Sequence, residues 1–186
     1  MNQQFQRINV VGASGSGKST FSQKLSVILS IPHVEMDTIF WQPNWQESGD
    51  DTFFSKLSAE ISPLSSWVLD GNYTRSIPIK WDKVDLVIWL DYSFTRTVFQ
   101  AIKRAISRAW SQKELWAGTG NKETFRKLFS KDSIVLYTIK THNKVRRKYE
   151  LLMSDKSYSH IEFVRFRSRK ESEDFLQQIR DRSNED

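Results

Sequence analysis

Short apolar runs separated by amphipathic stretches organise this chain of 186 residues. Ile8, Asn9, Val10 and Val11 form a brief, mostly β-branched run, as a buried strand does. From Ser19 to Ser30 the pattern changes to helical spacing, with Phe21, Leu25, Ile28 and Leu29 on one side. His33 to Asp37 predicts a second strand, followed by an aromatic segment carrying Phe40, Trp41 and Trp45. Asp50 to Ser62 predicts a helix with Phe53, Phe54, Leu57 and Ile61 on its inner face. Trp67 to Asp70 is a third strand, broken by Gly71-Asn72, and Asp85 to Asp91 is the fourth. A long helix starts at the N-cap Ser93 and runs to about Ser111, with Val98, Phe99, Ile102, Ala105, Ile106 and Ala109 as its apolar face. Gly118 and Gly120 interrupt the next stretch. Helices over about Lys122 to Phe129 and Ile134 to Leu152, a fifth strand over His160 to Arg167 and a helix over Glu171 to Arg180 complete the pattern, with a frayed tail from Asp181.

Strands alternating with helices predict an α/β fold with a parallel sheet and right-handed crossovers. Ligands of such sheets bind beyond the carboxyl ends of the strands. The length fits one domain, residues 1–186, and no internal repeat breaks it.

The first strand and helix flank the most specific motif. Gly12, Ala13, Ser14, Gly15, Ser16, Gly17, Lys18 and Ser19 read as Gly, four residues, Gly-Lys-Ser, with Thr20 following. This is a phosphate-binding loop in its required strand-to-helix context. Glycines at 12, 15 and 17 permit backbone conformations that a side chain forbids. The amides then point inward, and the helix N-terminus adds partial positive charge. Lys18 is expected on the β- and γ-phosphates and the Ser19 hydroxyl on Mg²⁺. The ligand so predicted is ATP with Mg²⁺.

Charge alters the picture next. Lys and Arg number 28 against 22 Asp and Glu, a net charge of +6. The excess is concentrated: from Arg96 to Lys148 there are 14 Lys and Arg against three acids, Glu114, Glu123 and Asp132. Such a block serves phosphorylated substrates or a nucleic acid, or is a solvated helix surface. There is no cysteine, and the three histidines are dispersed, which argues against a zinc site. No run approaches the ~20 apolar residues of a membrane span. The segment Met1 to Arg7 is polar, unlike a signal peptide. A cytoplasmic protein with no membrane partner is the expectation, and the sequence leaves its oligomeric state open.

Three aspartates close predicted strands at the edge of the phosphate loop. Asp37 is a candidate for holding or deprotonating an acceptor hydroxyl, or for a capping role. Asp70 is a candidate for organising magnesium through water. Asp91 sits where nucleotide hydrolases keep a magnesium aspartate, but Tyr92 follows it in place of their water-positioning glutamate. That favours transfer to an organic acceptor over hydrolysis. Arg75 is a candidate fork for an acceptor phosphate or carboxylate, or a surface ion pair. Arg104 and Arg108, four apart on the polar side of the long helix, are candidates for a charge clamp, with Arg96 two turns earlier. His142, Lys144, Arg146, Arg147 and Lys148 form a second basic cluster. Arg167 is a candidate for stacking on adenine, or part of a plain basic turn. Trp41 and Trp45 either wall an acceptor pocket or pack the core.

Several segments together resemble the adenylate-kinase-like P-loop kinases, and most of all the bacterial topology modulation proteins (FlaR-like). They are Gly12 to Thr20, His33 to Asp37 with Phe40-Trp41, Leu69 to Tyr73, Trp89-Leu90-Asp91 and Glu114-Leu115-Trp116. The resemblance implies a three-layer fold with a five-stranded sheet in the order 2-3-1-4-5. It also implies an acceptor-binding region at about 37–66 and a short helical lid at about 104–122. Asp70, Gly71 and Arg75 occupy the place of the Asp-Gly-Phe-Pro-Arg segment that binds the acceptor nucleotide in adenylate kinases. Here Asn72-Tyr73-Thr74 replaces Phe-Pro and the arginine arrives one residue later. The expected activity is transfer of the γ-phosphoryl group of ATP to a nucleotide, nucleoside or other hydroxyl metabolite. The alternative is an ATP-switched nucleic-acid-binding regulator, suggested by the basic block.

Overall fold

The computed structural model describes residues 5–128, 130–131 and 133–183. Five strands alternate with helices: β1 (Arg7–Gly12), α1 (Lys18–Leu29), β2 (His33–Glu35), α2 (Met36–Phe40), α3 (Asp50–Ile61), β3 (Trp67–Asp70), α4 (Ile77–Lys80), β4 (Leu86–Leu90), α5 (Phe94–Ser111), α6 (Phe125–Leu128), α7 (Ile134–Met153), β5 (Glu162–Phe166) and α8 (Arg169–Ser183). A two-residue ribbon, Trp41–Gln42 against Gln46–Glu47, sits between α2 and α3. The main sheet is all parallel in the order β2-β3-β1-β4-β5, the order expected.

Period-two alternation along the strands sends side chains to two separate cores. Ile8, Val10, Val68, Leu86, Ile88 and Leu90 face α1 and α8, where Phe21, Leu25 and Leu176 meet them. Val11, Leu69, Val87 and Trp89 face the other way, onto Met36, Phe40, Phe53, Leu57 and Tyr149. Asn9 interrupts the apolar run of β1 but is satisfied. Its amide nitrogen donates to the Leu69 carbonyl at 3.0 Å, and its oxygen accepts from Trp81 Nε1 at 2.9 Å. It ties β1, β3 and the segment after α4 into one unit.

Several boundaries differ from the sequence reading. The second strand stops at Glu35, because its last partner is Asp70 and β3 leaves the sheet at Gly71. Asp37 therefore lies in the first turn of α2 rather than at a strand end. The closing helix runs on to Ser183, so Asp181 is helical and not frayed. The helix expected over about 122–129 is described only over Phe125–Leu128. Phe129 and Asp132 lie outside the described residues.

The largest correction concerns α5. Its buried side is a row of small residues, Thr97, Ala101, Ala105 and Ala109. Of the face expected to be buried, Phe99, Ile102 and Ile106 are exposed. The reason is proximity to the phosphate loop. A Cβ on Gly15 would meet the Thr97 carbonyl oxygen at 2.8 Å and Ala101 Cβ at 2.9 Å. Only small side chains let the helix lie so close to the loop backbone. We expect Ala101→Leu to destabilise the protein by about 1–3 kcal/mol through overpacking. Ile106→Ala, on the exposed side, is expected to change stability by less than about 0.5 kcal/mol. Equilibrium urea unfolding measures both.

Candidate active site

The loop between β1 and α1 lies at the carboxyl edge of the sheet. Gly12, Gly15 and Gly17 have φ of 153°, 84° and 89°, in the region glycine favours. Gly17 is the N-cap of α1 and carries no side-chain cap, so the amides of the first turn remain available to a ligand. A clasp fixes the loop from below. Asn72 Nδ2 donates to the Gly12 carbonyl at 2.6 Å, and the Gly12 amide donates to Asn72 Oδ1 at 3.0 Å. The Lys80 ammonium, fully buried, donates to the Gly71 and Asn72 carbonyls at 3.1 Å each and so holds the loop that carries Asn72. Burial drives the Lys80 ammonium well below the usual lysine range.

Around the loop several polar groups converge with hydrogen-bonding capacity left over. Lys18 reaches only the Ala13 carbonyl, at 3.3 Å, and burial lowers its pKa against the opposing pull of Asp70 and Asp37. Ser16 Oγ, Asp70 Oδ1 and Arg104 Nε are buried with no hydrogen-bond partner. Arg104 donates through one NH₂ group to Ser14 Oγ at 3.2 Å, which brings the clamp candidate onto the phosphate loop itself. Buried groups without partners are costly, and a ligand that pairs them relieves that cost. Unpaired donors on a glycine-rich loop fit a polyphosphate, and Ser19 beside the Asp70 carboxylate fits a hydrated divalent cation. Burial raises the Asp70 pKa, with Lys18 and Ser19 opposing. Among the described residues no group of three acid, histidine or cysteine side chains would hold a metal by itself. Phosphate oxygens would supply the remaining ligands.

On the acceptor side, the Tyr73 hydroxyl donates to Asp37 Oδ1 at 2.5 Å. Glu35, which the motif reading passed over, faces the same space. Burial first, then Asp70 and Asp37, push its carboxyl up to about 7, and Arg108 opposes them. Its signal in the sequence was the spacing Glu35-x-Asp37 at the end of a strand. Asn72, Tyr73 and Lys80 were also missed, since nothing in their local pattern separates them from turn residues.

The remaining candidates take varied positions. Arg108 ion-pairs with Glu123 at 3.4 Å. Arg75 ion-pairs with Asp50 at 2.7 Å on the exposed surface, in keeping with the alternative weighed for it. Arg167 is exposed, and its backbone amide donates to Glu171 Oε2 at 2.8 Å as part of the cap that starts α8. Thr20 is exposed in the first turn of α1. Asp91 is buried against Arg165, with Arg165 NH2 at 2.6 Å, and Arg165 in turn covers the Trp89 ring. His142 turns inward to the Tyr92 carbonyl at 3.2 Å, while Lys148 donates to Thr74 Oγ1 at 2.7 Å.

The region expected to be a lid begins inside α5 and continues through the loop that carries Trp116. It meets the acceptor arm directly. Trp41 stacks on Trp116 at 5.7 Å with 12° between the planes, and Trp45 packs edge-on against both. Asn121 clamps the ribbon, its Nδ2 donating to the Gln42 carbonyl at 2.8 Å and its Oδ1 accepting from the Trp45 amide at 2.9 Å.

No family model matches this chain, and neither does any curated protein. Solved structures do match in fold. A shikimate kinase from Acinetobacter baumannii, in complex with shikimate, is 13% identical with a TM-score of 0.55, over 97% of this chain and 96% of that one. A gluconokinase from Sinorhizobium meliloti 1021 is 12% identical with a TM-score of 0.52, over 97% of this chain and 92% of that one. The chain therefore has the fold of these P-loop small-molecule kinases.

The raised Glu35 pKa makes stability depend on pH. The folded value, about 7, lies above the model-peptide value of 4.5, so native Glu35 holds its proton where the unfolded chain has released it. Stability from this group is full below about pH 4.5, falls as pH rises towards 7 and levels off above. Glu35→Gln is expected to flatten that decline and to raise the melting temperature at pH 8 by a few degrees relative to the parent, with little gain at pH 4.5. Thermal melts across pH check this.

Proposed function

We propose that this chain is an ATP- and Mg²⁺-dependent phosphotransferase, a P-loop kinase related to adenylate kinase. It moves a γ-phosphoryl group to a hydroxyl of a small acceptor, whether nucleotide, nucleoside or other metabolite. One observation carries the reading: half-buried Lys18, whose one partner is a long contact to the Ala13 carbonyl, converges with the unpaired, buried Ser16 Oγ and Arg104 Nε on a loop whose amides are open. The fold it shares with small-molecule kinases supports it. Residues 1–186 form the kinase domain, with the acceptor region at about 37–66 and the lid at about 104–122. ATP as donor places the activity in the cytoplasm.

In this reading Gly12 to Thr20 cradle the phosphates and Lys18 spans the transferring group. Asp37 orients the acceptor hydroxyl and takes its proton as oxygen bonds to phosphorus, while the bridging oxygen departs with ADP. Tyr73 fixes one oxygen of Asp37 and leaves the other for the substrate. Arg104 reaches the loop from α5, and with Arg108 it balances charge developing on the transferring group. Trp41 and Arg75 border the acceptor side, and Arg167 the nucleotide side. Ser19 and Asp70 would hold magnesium, which would supply further charge neutralisation on the transferring group.

Lys18→Ala is expected to abolish acceptor-dependent ADP release while the circular dichroism spectrum stays unchanged. Asp37→Asn is expected to lower kcat by about 10²–10⁴-fold. A coupled ADP assay against nucleotides, nucleosides and hydroxylated metabolites measures both, and a fully active Lys18→Ala variant overturns the assignment.

A further inference from the structure

The exposed side of α5 is built like a membrane-surface helix. Phe99, Ile102, Ile106 and Trp110 are 67%, 38%, 46% and 81% exposed. Their spacing of three, four and four places them on one stripe, opposite the row of small residues against the phosphate loop. From Phe99 to Trp110 the stripe is about 16 Å long. Four bulky apolar side chains in one row are more than a scattered surface residue explains.

Charge says what covers the stripe. The helix carries Arg96, Lys103, Arg104 and Arg108 and no acid. Lys103 is exposed beside the stripe, and Lys113 is exposed just beyond its end. The two described acids between Ser93 and Tyr149 are both engaged by nearby groups of the chain. Glu114 accepts from the Gly120 amide, and Glu123 pairs with Arg108. A second copy of the chain docked here through a two-fold axis would set Lys103 and Lys113 against their own equivalents with no carboxylate between them. A nucleic acid would meet the cations but not the aliphatic Ile102 and Ile106, which offer no stacking face to a base. An anionic lipid surface satisfies both halves: acyl chains take Phe, Ile and Trp, and headgroup charge takes the lysines. The geometry points to α5 as a peripheral docking helix for anionic phospholipid, lying in the plane of the interface with Trp110 at its carboxyl end. Such a helix does not span the bilayer; among the described residues no helix is long and apolar enough to cross one. Since the opposite side of α5 presents Arg104 to the phosphate loop, docking holds the site beside the membrane surface.

The test uses vesicles of phosphatidylcholine with or without roughly one third phosphatidylglycerol. The intact protein is expected to co-sediment with the anionic vesicles and not with pure phosphatidylcholine, and to be released by raised salt. Ile106→Gln with Trp110→Gln is expected to weaken that binding about tenfold or more. Lys103→Glu, which lies outside the proposed lid, is expected to weaken it on anionic vesicles while ATP binding is unchanged. Should the double variant fail to fold, Trp110→Gln alone carries the measurement. No binding of the intact protein to anionic vesicles overturns the proposal, as does undiminished binding of the glutamine variant. A dimer in gel filtration that the glutamine variant breaks assigns the stripe to a second copy and equally overturns it. DNA binding that the glutamine variant abolishes does the same in favour of nucleic acid.

Discussion

The phosphate loop is squeezed from two sides, and most of the molecule follows from that squeeze. A Cβ on Gly12 would lie 2.6 Å from the Leu90 carbonyl oxygen, and one on Gly15 would lie 2.8 Å from that of Thr97. With no side-chain volume at either point, the loop backbone sits directly between the end of β4 and the inner face of α5. Two things result. The loop amides are held in place before any ligand arrives, which is how electrostatic stabilisation avoids reorganisation. Arg104, one turn beyond the contact of Ala101 with Gly15, is carried onto Ser14. The loop cannot be placed without also placing the arginine.

The clasp below the loop extends the same constraint to the acceptor side. Asn72 presents its carboxamide to Gly12 as a peptide group would, accepting and donating at once. Its neighbour Tyr73 holds Asp37, and Lys80 holds the carbonyls of Gly71 and Asn72. The run Gly71-Asn72-Tyr73, held by Lys80, thus ties donor side to acceptor side. Replacing the Phe-Pro of the adenylate kinase pattern with Asn-Tyr-Thr is therefore a change of mechanical linkage as much as of surface chemistry.

How much of this was legible in the sequence depended on how local the cause was. The phosphate loop is encoded by residue type at fixed spacing, and the sheet order accompanied the resemblance that the motifs carried. The continuous apolar runs placed β3 and β4 within a residue of where they lie. Boundaries set by a distant partner were not readable. β2 ends where β3 turns away, and the inner face of α5 is chosen by Gly15, more than eighty positions earlier. A helical wheel ranks Ile102 above Ala101 for burial, because it counts hydrophobicity and cannot see that the neighbour is a backbone with no room. Glu35 went unread, and Arg75 stood between two roles, for a related reason. Their roles depend on Asp70 and Asp50, which nothing local connects to them.

Lys80 has a consequence of its own. Its amine sits at zero exposure between two carbonyl groups and is drawn towards its neutral, nucleophilic form by the surrounding apolar matrix. Acylating reagents that label surface lysines within minutes would find this one shielded for as long as the interior stays shut. The nitrogen is a built-in clock: the pace at which it acquires a tag reports how often the heart of the sheet breathes open to water.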